Sequence, residues 1–282
     1  MAALANRITG VPFVVTTHGG DIYGLQGKFS SALKGYALRN AATVTVVSKN
    51  IQSTIKQNFG DDIHTVVIPM GVDSTLFHPD KNDPRIREQF AIKGPFLLYV
   101  GRLSEKKGVT YLLEAMPLVL EYIPDCRLLL VGTGELNKKL RNQAESLNLS
   151  STNKAIFLGA VPNNELPVYF ASADIFIGPS VVVEGGDTEG FGLTFVEAAM
   201  SGCIVVGTNV GGISDIIEDG ETGFLVPEKD PKAIAEILVR ILQDQLKINS
   251  LKHHARERMI QKFDWQPIAD QYAKTLNDNI LQ

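Results

Sequence analysis

Short apolar runs that alternate with longer amphipathic segments limit the fold of this chain more than any other feature. Nine such runs recur along its 282 residues, namely PFVVTT, TVTVVS, TVVIPM, FLLYVG, RLLLVG, AIFLG, DIFIGPS, CIVVGT and GFLVP. Strands with near-continuous apolar character belong to parallel sheets that helices cover on both faces. The pattern therefore predicts an α/β chain built on doubly wound parallel sheets.

A polar stretch over residues 71–95 carries three prolines and interrupts the alternation. Six strand runs follow it, enough for a complete doubly wound domain, but only three precede it. Three parallel strands with few helices can hardly cover both faces of a sheet, so we expect the first domain to lack an N-terminal portion. The predicted organisation is a partial first domain over residues 1–90, a complete second domain over 91–262 and a closing helix over 263–282.

The composition, with 44% hydrophobic and 21% charged residues, is that of a globular protein. The two cysteines, Cys126 and Cys203, lie inside or beside apolar runs, which predicts buried thiols in a reducing compartment. No apolar run is long enough to span a membrane or to act as a signal peptide core. We expect a cytoplasmic location.

The net charge of −4 conceals a basic segment between Ile22 and Gly60, which has no acidic residue. Its charged residues are Lys28, Lys34, Arg39, Lys49 and Lys56. One interpretation is a solvated face; the alternative is a patch that contacts anionic lipid at the inner face of the membrane, or a phosphorylated acceptor. We expect no nucleic-acid partner.

Three glycine-bearing turns each follow a strand: YVGRLSEKKG, LVGTGELNKKL and DTEGFGLTFVEA. Ligands of doubly wound sheets bind at the carboxyl ends of the strands, so these turns are the candidate site. The second turn fails as a dinucleotide-binding motif, because Asn137 stands where the third glycine belongs. A P-loop motif is absent as well.

In the third turn, Gly190 and Gly192 allow close approach of a ligand, and a helix that opens near Leu193 offers unpaired N–H groups to a phosphate. Glu197, one helical turn later, is placed to accept two hydrogen bonds from a vicinal diol, although a solvated helix carboxylate is the alternative. Glu189 precedes the turn, and it fits beside a phosphate only if it faces neutral hydroxyls such as those of a sugar.

In the first turn, Arg102 and Lys107 follow a strand directly and supply positive charge. As an isolated pair they are a common surface feature. Together with the third turn they form a candidate clamp for a diphosphate.

These motifs, in this order over residues 96–227, resemble the nucleotide-binding half of retaining glycosyltransferases of family 4, which have the two-domain GT-B fold. The segments THGGD, VVS and VIPMGVD extend the resemblance back to residue 16. It implies two Rossmann-like doubly wound domains that face a cleft, the first of them incomplete here. The family's first strand and glycine-rich loop have no counterpart in this chain.

The resemblance also implies roles for individual residues. Glu189 and Glu197 match the family's E-x7-E pattern, in which the first carboxylate contacts the donor sugar and the second holds the ribose. Arg102 and Lys107 match the pair that binds the diphosphate and stabilises it as it leaves. The phosphate turn is implied to include Gly190, Phe191, Gly192, Leu193 and Thr194. More loosely, the backbone near Gly159 and Val161 is implied to meet the base.

The THGGD segment places His18 and Asp21 just after a strand of the first domain. The resemblance implies that His18 contacts the donor sugar or phosphate. Asp21 is a further candidate for donor binding, although an Asp after two glycines also suits a turn.

The implied activity is transfer of a hexose from a nucleoside diphosphate sugar to a saccharide or lipid-linked acceptor, with retention, in cell-surface polysaccharide or glycoconjugate synthesis. We expect no cofactor, and no metal, since no convincing D-x-D motif is present. One alternative is an epimerase or a phosphorylase on the same fold. The other is a truncated, inactive nucleotide-sugar-binding protein.

Overall fold

The computed structural model describes residues 1–24 and 27–280, and each of the nine apolar runs forms a strand in it. The strands are β1 (Val14–Thr17), β2 (Thr43–Val46), β3 (Thr65–Val67), β4 (Phe96–Val100), β5 (Arg127–Val131), β6 (Ala155–Gly159), β7 (Ile175–Gly178), β8 (Ile204–Thr208) and β9 (Phe224–Val226). All pairings between these strands are parallel, which confirms the predicted α/β class.

Helices connect these strands throughout the described part of the chain. They are α1 (Ala2–Thr9), α2 (Gly20–Tyr23), α3 (Lys28–Asn40), α4 (Lys49–Phe59), α5 (Pro84–Gln89), α6 (Val109–Tyr122), α7 (Asn137–Ser146), α8 (Leu166–Ser172), α9 (Leu193–Met200), α10 (Ile213–Ile216), α11 (Pro231–Gln243), α12 (Gln245–Phe263) and α13 (Trp265–Ile280). Short 3-10 turns add Pro79–Lys81 and Glu105–Lys107.

The second sheet has six strands in the order β6-β5-β4-β7-β8-β9. The chain runs outward from β4 to β6, returns to pair β7 with β4, and then runs outward on the other side to β9. The direction of winding therefore reverses between β4 and β7. Loops that leave such a pair diverge to opposite faces of the sheet and open a crevice, where ligands of this fold class bind.

The first sheet has three strands in the order β1-β2-β3, and all four residues of the central strand β2 are buried. Its core is continuous with one face of the second sheet, because Val44 and Ile51 belong to the same hydrophobic cluster as Leu98 and Phe176. The opposite face of the second sheet forms a separate cluster around residues such as Leu97. The two sheets are thus packed together by buried apolar side chains.

The C-terminal segment returns to the end of the first sheet. The Val72 N–H donates to the Phe263 carbonyl at 2.8 Å, and the Ser74 hydroxyl donates to the Asp264 carboxylate at 2.6 Å. Helix α13 then buries Ile268 beside Gly71. Further along this helix Thr275 is buried, whereas Leu276 is exposed.

Both thiols are free and buried, as predicted, and burial raises the pKa of Cys126 and of Cys203 to about 12. In the basic segment, Lys34 donates to the Ile22 carbonyl at 2.9 Å and Arg39 donates to the Phe59 carbonyl at 2.7 Å. Two of its five basic side chains therefore hold nearby backbone carbonyl groups by hydrogen bonds. Contact of this segment with a membrane stays a prediction. Among the described helices, none combines the length and the apolar character needed to cross a bilayer.

Candidate active site

The turns after β4 and β7 meet at the reversal point of the second sheet, in direct backbone contact. Gly108, at the end of the first turn, has φ of +63°, and a Cβ built on it would lie 1.9 Å from the Pro179 carbonyl oxygen. Only glycine accepts both this backbone conformation and this approach. The Val181 N–H donates to the Lys106 carbonyl at 2.8 Å, so the two turns are joined by a hydrogen bond as well.

The glycines of the turn after β5 serve the same packing. A Cβ on Gly132, whose φ is +133°, would lie 1.9 Å from the Gly101 carbonyl oxygen, and one on Gly134 would lie 2.4 Å from that of Leu103. The GTG sequence is therefore required by close contact with the GRL turn. This contact explains two glycines that resemble a dinucleotide motif without completing one.

Two ion pairs bridge the turns after β4 and β7. Lys107 pairs with Glu189, and Lys106 pairs with Asp187 at 3.2 Å. The Lys107 and Glu189 side chains are only 22% and 14% exposed, so their attraction is screened less than that of a surface pair. The structure thus brings together two of the predicted catalytic residues.

Arg102 is exposed, and its guanidinium group makes no hydrogen bond or ion pair within the described residues. It therefore lies on the predicted turn without contacting the Lys107–Glu189 pair. Its position is fixed through its backbone, because the Tyr99 hydroxyl donates to the Arg102 carbonyl at 2.8 Å.

Tyr99 is a site residue that the sequence analysis did not single out. Its side chain is buried at 2% exposure in strand β4. Burial, together with the nearby negative charge of Glu189, holds the pKa of the Tyr99 phenol far above its ordinary value. The phenol thus stays protonated and keeps its hydrogen bond to the turn. The sequence feature that could have identified Tyr99 is its hydroxyl group, which stands in an otherwise apolar strand.

Three buried hydroxyls, those of Ser104, Thr188 and Ser201, have no hydrogen-bond partner in the described part of the chain. Ser104 lies in the turn after β4 and Thr188 in the turn after β7, whereas Ser201 caps the end of α9. Buried polar groups in folded proteins are nearly always paired, so unpaired ones in a crevice indicate a place where a ligand or water binds.

The glycine turn before α9 is fixed by backbone contacts. Gly192, with φ of +99°, ends the turn and starts the helix. The Gly212 N–H donates to the Glu189 carbonyl at 2.9 Å. Leu193 and Thr194, the first helical residues, are half-buried. Phe191 belongs to this turn, and its ring packs in the core, with its centroid 5.7 Å from that of the Phe263 ring. Only the backbone of this residue is available to the turn.

Glu197 lies on the second turn of α9 and is half-buried. Burial raises the pKa of its carboxyl to about 7. Within the described residues its carboxylate makes no hydrogen bond or ion pair with another side chain. Glu197 is thus shielded from solvent in part, unlike a fully solvated helix carboxylate.

The loop after β1 brings the first sheet to the same turn. A Cβ on Gly190 would lie 2.4 Å from the His18 carbonyl oxygen, so the two backbones touch. The exposed His18 side chain is held at the cleft by its loop, because the Asp21 carboxylate accepts from the N–H groups of His18 at 3.0 Å and Gly19 at 2.9 Å. Asp21 thus has a structural contact of its own, of the kind that an Asp in a turn often makes.

Gly159 ends β6 with φ of +84°, and nothing lies within 4 Å of the position its Cβ would take. Val161 follows it and is half-buried. Both residues lie two strands away from β4, at the edge of the sheet. The backbone there is open enough for a flat ligand group.

A cavity of about 510 Å³ lies between the first sheet's helices and the loop before Glu189. Its lining is rich in hydroxyl and amide groups and includes Tyr23, Ser31, Lys34, Thr54, Gln57, Asn58, Gly185 and Gly186. Within the described residues, no three or more His, Cys, Asp or Glu side chains are grouped so that they could hold a metal ion.

Two parallel-sheet units in contact across a cleft, with a charged turn at the reversal point of the second, define a GT-B fold. Comparison with known proteins gives the family. The family model for glycosyl transferases group 1 matches residues 81–262, and that for glycosyltransferase family 4 matches residues 1–76. The chain belongs to the glycosyl transferases group 1 family and is a glycosyltransferase.

Two curated relatives illustrate the range of this similarity. The GDP-mannose-dependent alpha-(1-6)-phosphatidylinositol monomannoside mannosyltransferase of Mycolicibacterium smegmatis is 28% identical over an alignment of 281 residues, which covers 98% of this chain and 73% of that protein. A glycogen synthase of Mycobacterium tuberculosis is 28% identical over 254 residues, which are 89% of this chain and 58% of that protein.

Among solved structures, that of HepE from Anabaena in complex with UDP-glucose superposes with a TM-score of 0.85 at 28% identity. The match covers 98% of this chain and 75% of HepE. The similarity extends over both sheets and the closing helix, since it covers nearly all of the chain.

Proposed function

We propose that this glycosyltransferase moves a hexose from a nucleoside diphosphate sugar to a saccharide or lipid-linked acceptor, with retention of configuration, in the synthesis of a cell-surface polysaccharide or glycoconjugate. The observation that carries the proposal is the Lys107–Glu189 ion pair at the reversal point of the second sheet. It places a cation that suits a phosphate beside a carboxylate that suits sugar hydroxyls.

The diphosphate of the donor would lie between the turn after β4 and the start of α9. Arg102 is exposed and without a partner in the described chain, and Lys107 extends from the same turn. The first N–H groups of α9 face the same crevice and favour an anion. These groups would stabilise the negative charge that develops on the diphosphate as the sugar leaves, which is electrostatic catalysis.

The two glutamates would hold the neutral parts of the donor on either side of the diphosphate. Glu189 would accept hydrogen bonds from the sugar hydroxyls, with Lys107 keeping its charge balanced. Glu197 would accept from the ribose diol, which suits a half-buried carboxylate without another partner. The open backbone near Gly159 and Val161 would then meet the base, and His18 would contact the sugar or the phosphate from the first sheet.

Retention is supported by the electrostatics around Glu189. An inverting transfer needs a general base that is free to take the acceptor proton. The carboxylate of Glu189 is instead compensated by Lys107, so it is poorly suited to that role. The family resemblance implies that the departing phosphate takes this proton. We also propose that transfer needs no divalent cation.

The acceptor would occupy the 510 Å³ cavity beside the loop before Glu189. Its hydroxyl and amide lining matches the hydrogen-bonding groups of a saccharide. The relatives that act on phosphatidylinositol monomannoside, by their names, support a lipid-linked saccharide as one acceptor class.

The proposal is tested by calorimetric titration of the protein with UDP, GDP, UDP-glucose and GDP-mannose, with and without EDTA, followed by assays of donor hydrolysis and transfer. We expect either UDP and UDP-glucose or GDP and GDP-mannose to bind, and the sugar of that donor to be hydrolysed or transferred. The NMR coupling constants at the anomeric carbon of the transfer product should show the same anomeric configuration as in the donor. Lys107→Ala should abolish this turnover, whereas Lys106→Ala, which removes the neighbouring pair, should retain most of it.

Other outcomes would overturn parts of the proposal. Binding without hydrolysis or transfer would leave a nucleotide-sugar-binding protein. An inverted product would exclude retention, and a loss of turnover with EDTA that Mg²⁺ or Mn²⁺ restores would exclude metal independence.

A further inference from the structure

The turn that carries Glu189 is held from two sides at consecutive carbonyl groups. The Glu189 carbonyl accepts from the Gly212 N–H at 2.9 Å, within the second sheet's own loops. The next carbonyl, that of Gly190, accepts from the Ser48 hydroxyl at 2.7 Å, and this hydrogen bond is buried. Ser48 belongs to the first domain, since it lies two residues after β2 and caps the start of α4.

The contact with Ser48 fixes more than one oxygen atom. In a trans peptide the carbonyl and the next N–H point in opposite directions, so a hydrogen bond to the Gly190 carbonyl also sets the direction of the Phe191 N–H. Gly190 has no side chain to restrict its backbone, and without this bond the turn would sample more conformations. The orientation of Glu189, the preceding residue, depends on the same peptide groups.

Ser48 itself is held in place by the start of α4. Its hydroxyl oxygen accepts from the Ile51 N–H at 3.3 Å while its hydrogen is donated to Gly190. The adjacent Lys49 N–H donates at 2.6 Å to the carboxylate of Asp215. Asp215 lies on α10, which follows strand β8 of the second sheet. The N-terminus of α4 is therefore capped partly across the cleft, and a carboxylate there is also favoured by the helix dipole.

We propose that Ser48 is a positioning residue for the transfer reaction: its hydrogen bond to Gly190 sets the glycine turn and thereby orients Glu189 toward the donor sugar, while Asp215 holds Ser48 in register. This inference rests on the proposed role of Glu189 in sugar binding. It concerns the sugar end of the site, because Arg102 and Glu197 lie outside the Ser48 contact.

The first test is hydrogen exchange, which needs no ligand. In Ser48→Ala, the amides of residues 188–192 and of Gly212 should exchange about tenfold faster, since a buried hydrogen bond is lost. Asp230→Ala is the matched control: Asp230 caps α11 by accepting from the Ala233 N–H at 2.9 Å, so this variant loses a helix cap but keeps the hydrogen bond between Ser48 and Gly190. It should leave exchange at residues 188–192 unchanged.

The second test separates sugar positioning from nucleotide binding, with whichever of UDP and UDP-glucose or GDP and GDP-mannose the wild type binds. Ser48→Ala should lower kcat for donor hydrolysis about tenfold while the Kd of the bare diphosphate stays within about twofold. Ser48→Thr, which keeps the hydroxyl, should restore both exchange and kcat. If Ser48→Ala does not fold, Asp215→Ala serves in its place, with changes in the same direction.

Unchanged exchange at residues 188–192 would overturn the inference whatever the donor assays show. So would equal losses of kcat in Ser48→Ala and Asp230→Ala, because helix capping alone would then account for the effect. A wild type that neither binds nor hydrolyses any donor would overturn the proposed function instead, and the exchange result would still decide whether Ser48 fixes the turn.

Discussion

Lys107, in the turn after β4, forms an ion pair with Glu189, in the turn after β7, across a separation of 82 residues. The pair joins the two turns at the point where the second sheet reverses its winding. Each charge compensates the other in a site that is largely shielded from solvent. When a donor binds, its diphosphate would lie beside Lys107 while this lysine keeps its ion pair with Glu189, because an ammonium group has three N–H donors. The carboxylate would then meet the sugar hydroxyls with its charge still compensated.

Glu189→Ala should selectively weaken binding of the sugar nucleotide. Losing a hydrogen bond between a charged group and the sugar costs roughly 1.5–3 kcal/mol, while the bare diphosphate keeps Lys107 and loses nothing. Calorimetric titration with the diphosphate and with its sugar nucleotide measures the difference. Asp187→Ala, which breaks the neighbouring ion pair, is the control and should affect both ligands alike. An equal effect of Glu189→Ala on both ligands would contradict the sugar role.

Binding of the nucleoside diphosphate should strengthen as the pH rises through about 7, the value to which burial raises the pKa of Glu197. A diol donates to an ionised carboxylate, and only part of the Glu197 population is ionised below that pH. Glu197→Gln should bind more weakly and remove this component. Ionisation of the ligand phosphate affects both proteins equally, so the difference between their pH profiles reports Glu197 alone. A pH profile of Kd that is identical in both proteins would exclude the ribose role.

Glu197 should also make the stability of the protein depend on pH. Its folded-state pKa, about 7, lies above the ordinary value of 4.5, so the folded state binds the proton more tightly. The stabilisation is complete below about pH 4.5 and is lost as the pH rises through 7. A shift of this size corresponds to up to about 3 kcal/mol.

Glu197→Gln, which cannot ionise, should therefore unfold at a higher temperature than the wild type at pH 8 and show little difference near pH 4.5. Thermal denaturation at both pH values measures this. Glu236→Gln, an exposed change on α11, is the control and should show no such crossover. A destabilised Glu197→Gln at pH 8 would show that the ionised carboxylate is the favoured form in the fold.

Gly108→Ala should disrupt the contact between the two charged turns. The variant has both an unfavourable φ of +63° and a Cβ that would lie 1.9 Å from the Pro179 carbonyl oxygen. Gly220→Ala is matched, because Gly220 has φ of +78° but no atom within 4 Å of its Cβ position. The backbone conformation alone costs roughly 1–2 kcal/mol. Chemical denaturation should show a clearly larger loss for Gly108→Ala, and donor binding should fall in that variant alone.

The strands and the candidate turns could be predicted because their signals are local. Short apolar runs rich in β-branched residues favour strands, and each of the nine runs formed one. The GRL and EGFG turns follow strands directly, and a strand's carboxyl end is where a doubly wound sheet places ligands. The order of these motifs resembles that of family 4 glycosyltransferases, and the matches to two family models confirm this resemblance.

Other features of the site could not be read from local sequence. The pattern placed Phe191 in the phosphate turn but could not show where its ring lies. The ring packs against Phe263, 72 positions away in the chain, because α12 lies over that face of α9. Tyr99 and Ser48 lie in apolar strand runs, where their type and position predict no role in the site. Their roles depend on partners, the Arg102 and Gly190 carbonyls, that only chain folding brings within hydrogen-bond distance.

The sequence by itself determined the α/β class, the nine strands and the two glutamates eight positions apart, since these depend on hydrophobic pattern and helical spacing. The tertiary structure decided how the two glutamates differ. Glu189 forms an ion pair with Lys107 from another turn, which compensates its charge. Glu197 is half-buried without a paired cation, and burial raises the pKa of its carboxyl to about 7. Electrostatic environment depends on the distances between groups that are remote in the chain, and folding alone sets those distances.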